Sequence, residues 1–168
     1  MILDKLKKHK LEPNQVFVYH SHNSNYIEYF DDDYLPITRR FSNSNDDFGI
    51  GFYLNENLSK AILYAFKKLN PTPGSVSYLK IYKVNSGDLP EAMDVEKWNN
   101  VVNYHRHSHS RDTENIQAAS IVRGAMARYD RISGTYTIRD DHLQLRIYNC
   151  VEFESKFAFV DEITFERK

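Results

Sequence analysis

The segment Asp46-Asp47-Phe48-Gly49-Ile50-Gly51-Phe52-Tyr53-Leu54 limits the fold more than any other part of this chain. Two glycines one residue apart free the backbone for a tight approach, and the aromatic pair behind them opens a strand. An amphipathic helix follows at once. Leu58, Ala61, Ile62, Ala65, Phe66 and Leu69 recur at the i, i+3, i+4, i+7 spacing of one helical face. Asn55 is the predicted N-cap, and Asn70-Pro71-Thr72-Pro73-Gly74 ends the helix. A glycine turn and strand running into a helix N-terminus make a geometry that can grip a flat or anionic ligand.

Other segments read as strands on either side of this unit. Val16-Phe17-Val18-Tyr19 is a short apolar run that ends in the polar pair His20-Ser21, and residues 75–84 alternate. His142 to Tyr148 alternates as well, with Leu143, Leu145 and Ile147 on one face and Gln144, Arg146 and Tyr148 on the other. Residues 117–122 predict a further short strand, and 156–160 with 162–165 one or two final ones. A helix is expected over residues 91–104 with Met93, Trp98 and Val101 inward, and residues 21–47 read as loop with at most a short helix. The order is mixed α+β without internal repeat or linker.

The 168 residues suit one domain with its own core, spanning 1–168. Ten Phe and twelve Tyr stand beside a single Trp, so aromatic-lined grooves are expected as well as an aromatic core. A net charge of −1 with mixed signs argues against a strongly electrostatic nucleic-acid binder. With Cys150 as the only cysteine, neither a disulfide framework nor a cysteine-based zinc site is expected. Neither a bilayer-length apolar run nor a signal-peptide core is evident, so the expectation is a cytoplasmic protein with no membrane partner.

Three segments, in this order, carry a resemblance: Val16–Ser21, Asp47–Ala65 and His142–Tyr148. They resemble the His–Tyr–Glu/Gln branch of the ADP-ribosyltransferase superfamily, and most of all a small bacterial family of unknown function. That family carries a Tyr-His-Gly strand, then Asp-Phe-Gly-x-Gly-Phe-Tyr-Leu-Thr, then an Ala-rich helix. The resemblance implies a split β-sandwich with flanking helices, NAD as substrate, no metal, and a toxin-like role with a possible antitoxin protein as partner. The acceptor, protein or nucleic acid, is left open.

Cleavage of the bond between nicotinamide and ribose passes through an oxocarbenium-like state, as in glycoside cleavage. Such a site must clamp the carboxamide, hold the ring against an aromatic and contact the ribose hydroxyls. By the resemblance, His20 would bond a ribose hydroxyl and Ser21 would replace the usual glycine that pairs with the carboxamide. Gly51 and Phe52 would line the cofactor, and Tyr53 would stack on the nicotinamide. Alternation lets only one of Phe52 and Tyr53 face inward. Gln144 stands where many relatives have Glu; an amide can hold the 2′-hydroxyl but is not a useful base near neutrality. Arg123 or Arg106 could meet a pyrophosphate, or either could be a solvated surface arginine.

Each of these residues also has a structural reading: His20 a satisfied strand-end histidine, Tyr53 a core residue, Gln144 a polar residue on an exposed strand face. Three functions therefore stand side by side. The first is a mono-ADP-ribosyltransferase using Gln144, Tyr53 and His20; the others are an NAD glycohydrolase and a non-catalytic NAD-binding or protein-interaction module. Other patterns carry less. Asp47-Phe48-Gly49 lacks the companions of a kinase magnesium site. His105-x-His107-x-His109 would gather imidazoles for a metal only on a strand, and its polar neighbours indicate a loop.

Overall fold

A computed structural model of the chain describes residues 2–23, 47–48, 51–107, 121–147 and 150–168. These fall into two compact units. One holds residues 2–23, 55–89 and 154–168; the other holds 47–48, 51–54, 90–107, 121–147 and 150–153. The class is α+β, with antiparallel pairing inside each unit. No helix among the described residues is long and apolar enough to cross a membrane.

In the first unit, β1 (Gln15–Asn23) pairs with β3 (Val76–Asn85), which pairs with β6 (Phe157–Glu166). The period of two then divides the side chains cleanly. Tyr19, Leu79, Ile81 and Ile163 point to the side covered by α1 (Ile2–Lys8) and α2 (Leu58–Lys67), where they pack with Leu6 and Ala61. Small Ala61 and Ala65, both fully buried, let α2 lie close to the sheet. Two hydroxyls on that side use helix carbonyls: Ser21 Oγ donates to Ala61 O and Ser77 Oγ to Ala65 O, each at 2.7 Å.

The predicted helix after the glycine segment is present, but its cap is Asn57 rather than Asn55. Asn57 accepts from the Lys60 N–H at 3.0 Å, while Asn55 is the last residue of β2 (Phe52–Asn55) and pairs with Tyr19. The strand simply runs two residues further than the helix pattern suggested. The segments expected over 156–160 and 162–165 fall in one strand, β6, whose register skips a residue, Ile81 facing Asp161 and Tyr82 facing Phe159. A bulge breaks the alternation there, which is why the sequence left open whether one or two strands lie here.

The second unit is built on the ladder of β4 (Ile121–Asp130) and β5 (Thr135–Ile147), with α3 (Val95–His107) against it. Phe48, Trp98, Val102 and Val122 form its core, with Tyr53 and Met93 packed at the edge. Trp98 is fully buried and its indole Nε1 donates to Ala125 O at 2.7 Å, so the ring is held by a polar contact as well as by packing. The helix expected over 91–104 begins four residues later. Met93 precedes it, and its N–H donates to Arg123 O at 2.9 Å. β4 is longer than the short strand expected over 117–122, and residues 117–120 lie outside the described residues. The helix α4 (Cys150–Lys156) was not expected.

Candidate functional site

The convergence in the second unit begins at Asp47, whose carboxylate is 5 % exposed. An ionised group this far from water must be paired and fully hydrogen-bonded. Its Oδ1 accepts from Arg106 Nε at 2.8 Å and from Arg106 Nη2. Its Oδ2 accepts from the Ala127 N–H at 2.9 Å and from Gln144 Nε2 at 2.6 Å. One carboxylate thus ties together the turn at residues 47–48, the end of α3, β4 and β5. The Arg106 guanidinium also lies over the Tyr136 ring, 5.3 Å from its centre.

Gln144 is itself buried. The exposed-face reading therefore does not describe it. The orientation of its amide follows from chemistry. A carboxylate only accepts, so Nε2 must face Asp47 and Oε1 must turn away. A carboxylate at position 144 would meet Asp47 with like charge. The amide at position 144 is matched to this neighbour.

Tyr53 reaches the same turn from β2. Its phenol oxygen accepts from the Phe48 N–H at 3.0 Å, and the two rings lie nearly parallel with centres 6.3 Å apart. Two expected site residues, distant in sequence, thus meet on adjacent positions 47 and 48. Phe52, next to Tyr53, points the other way and is buried edge-on against Phe153, ring centres 5.6 Å apart. Both sides of β2 are therefore covered: Phe52 is core, and Tyr53 is half-buried at the core's rim.

Gly51 is required by its neighbour. A Cβ there would overlap the Arg146 side chain and sit 2.9 Å from Ile147 O. The space a side chain would take is filled by an arginine that is 1 % exposed. Sequence reasoning passed over Arg146, although it shares a strand face with Gln144 two residues earlier; a polar residue at that register was the available signal. Gly124, opposite Gln144 in the ladder, plays a matching part: a Cβ would come 2.8 Å from the Phe48 ring and 2.9 Å from Met93 Cε.

The ladder is irregular beside Gln144. Ala125 faces Leu143, but the next residue, Met126, faces Arg139, so the register on β5 shifts across residues 140–142. Bulges of this kind re-aim side chains and are frequent next to functional sites.

The remaining expected residues are placed elsewhere. Arg123 faces Leu145 in the ladder, so it projects from the face opposite Gln144, and its guanidinium donates to Pro90 O at 3.4 Å. The structure does not bring it to Gln144. His20 and Ser21 belong to the first unit and point to opposite sides of β1. Ser21 is buried under α2, and His20 is half-buried with its ring stacked on His22, centres 5.9 Å apart. His105 and His107 belong to α3 and not to the loop that their polar neighbours suggested. Among the described residues no group of His, Cys, Asp and Glu could hold a metal. The motif positions Asp46, Gly49, Ile50 and Tyr148, the third histidine His109, and residues 24–46 of the loop expected over 21–47 lie outside the described residues, whereas residues 21–23 continue β1 and are not loop.

No protein-family model matches the chain, and no curated protein matches it significantly.

Proposed function

We propose that the chain is a mono-ADP-ribosyltransferase of the split β-sandwich kind, using NAD as substrate. The observation that carries this reading is the meeting of Tyr53 and Gln144 on the turn at Asp47 and Phe48. Tyr53 supplies an aromatic face for the nicotinamide, and such a stack contributes about 0.5–1.5 kcal/mol beyond burial. With its Nε2 pinned by Asp47, Gln144 offers Oε1 as an acceptor for a ribose hydroxyl. Holding that hydroxyl orients the sugar while the bond from ribose C1′ to nicotinamide breaks. Nicotinamide leaves neutral with the bonding electron pair; the acceptor's nucleophile bonds to C1′ and gives up its proton. Asp47 is committed to four donors, so the proton goes to solvent or to the acceptor's own surroundings. The split-sandwich architecture, the toxin-type role, an antitoxin partner and the part of His20 follow from the resemblance and belong to this proposal.

A second reading, a module that binds NAD without turnover, is favoured by one specific feature. Neither Gln144 nor the sequestered Asp47 can act as a base. Hydrolysis of NAD by water suffers from the same lack. Incubation of the purified protein with labelled NAD and a cell lysate, followed by mass spectrometry, separates these possibilities. Transfer predicts ADP-ribose on a macromolecule, lost with Tyr53→Ala. Free nicotinamide without a labelled product indicates hydrolysis. Saturable NAD binding with neither product indicates the binding module.

A further inference from the structure

The two helices that cover the first unit's sheet turn Leu6, Ala61 and Ala65 inward, and their outer sides have a different composition. In α2, Leu63 and Phe66 stand one turn apart on the same side, 43 % and 53 % exposed. The Phe66 ring rests on Phe165, centres 4.9 Å apart, which fixes its position at the surface. Lys60 and Lys67 are three residues before and four after Leu63, so they share its side of the helix. The Lys67 ammonium lies 5.5 Å from the centre of the Tyr64 ring. No acidic residue occurs in α2. In α1, Leu3 is 62 % exposed, with Lys7 one turn further on.

Charge is distributed unevenly over the chain. Residues 2–10 and 58–68 hold seven lysines and one acidic residue, Asp4, although the net charge of the whole is −1. Asp4 is met by Lys7 at 3.7 Å, both side chains mostly in water, and Lys5 Nζ donates to Glu162 O at 3.5 Å. The helical layer thus combines cations with exposed apolar side chains. A helix surface is convex, so a rigid protein partner needs a groove shaped to it, whereas a lipid surface conforms. Nucleic acid would meet the lysines but offers no apolar medium for Leu63 and Phe66. We propose that this layer docks on an anionic membrane surface. Leu63 and Phe66 enter the boundary of the acyl chains, and Lys60 and Lys67 lie at the headgroup phosphates. Docking of this kind needs no spanning segment, and no helix among the described residues is one. The surface includes none of His20, Ser21, Tyr53 or Gln144 and does not depend on the NAD reading.

Co-sedimentation of the whole protein with vesicles tests it, using phosphatidylcholine alone and phosphatidylcholine mixed equally with phosphatidylserine. Binding to the mixed vesicles is expected, weakening as salt is added, with little binding to the neutral ones. Lys60→Gln together with Lys67→Gln should weaken it about fivefold per lysine. Leu63→Gln together with Phe66→Gln should weaken it at every salt concentration. Circular dichroism checks that both double variants fold; should one not, the other and the salt dependence decide. Absence of binding to the mixed vesicles, equal binding to the neutral ones, or affinity unchanged in a folded variant overturns the docking surface, whatever the labelled-NAD experiment shows. So does binding to a single-stranded oligonucleotide or to polyglutamate in place of the vesicles, which would assign the layer to a nucleic acid or to an acidic protein.

Discussion

At the scale of single residues, Asp47 explains more of the second unit than any other side chain. Removing one partner of a buried, hydrogen-bonded charge leaves the other groups uncompensated. Asp47→Ala should therefore destabilise the fold by roughly 3 kcal/mol, read as a lowered urea midpoint. Gln144→Glu should also destabilise, because it sets two carboxylates within hydrogen-bonding distance. Combining it with Asp47→Asn gives the pair a donor again and should recover part of that loss. A double variant no more stable than the sum of the two singles would show that the contact at 2.6 Å carries no weight. The sequence made Tyr53 and Gln144 visible through their motifs. It gave no sign that Asp47 was their meeting point. Its four donors come from α3, β4 and β5, and no local pattern brings together side chains so remote in the chain. Arg146 was hidden for a related reason: an arginine on a strand reads as solvated until a glycine elsewhere is seen to leave it room.

At the scale of elements, the pieces with strong local patterns were legible. The helix α2, the strand β1 and the strand β3 follow from spacing and from the Pro-Gly stop at residues 71–74, where Gly74 takes a φ of 78°. The cap was misplaced by two residues because Asn55 and Asn57 are equally good candidates; only the length of β2 chooses between them. Asn57→Ala should lower stability by about 1 kcal/mol, measurable by thermal melting, and Asn55→Ala should lack this capping loss. The β4–β5 hairpin was not read from the sequence. Its turn is built by Asp130, whose carboxylate accepts from the Ile132 N–H at 3.0 Å and the Ser133 hydroxyl at 2.8 Å, with Gly134 at φ 68°. That is an Asx turn of recognisable chemistry. It was masked by the mixed polar and apolar residues on either side. The bulge at residues 140–142 then disrupted the alternation that would have marked a long strand.

At the scale of the whole molecule, the two compact units have different chemical characters: one carries a lysine-rich helical layer, the other a buried carboxylate node. Folding of the first unit should be sensitive to alkali through Tyr19, a buried phenol whose pKa burial pushes up to about 12. The folded state favours the neutral form. Its contribution is therefore fully present below the ordinary phenol value of 10.0 and is lost as pH rises from there toward 12. Melting temperatures recorded across that window should fall, and Tyr19→Phe should flatten the fall. An unchanged slope in that variant would assign the alkaline loss to other groups.

The central claim is that Tyr53 and Gln144, joined at Asp47 and Phe48, present a surface to NAD. Calorimetric titration of NAD into the purified protein, with Tyr53→Ala alongside, tests it most directly. The account predicts saturable binding that weakens about two- to tenfold when the ring is removed. No saturable binding, or binding indifferent to Tyr53, would contradict it.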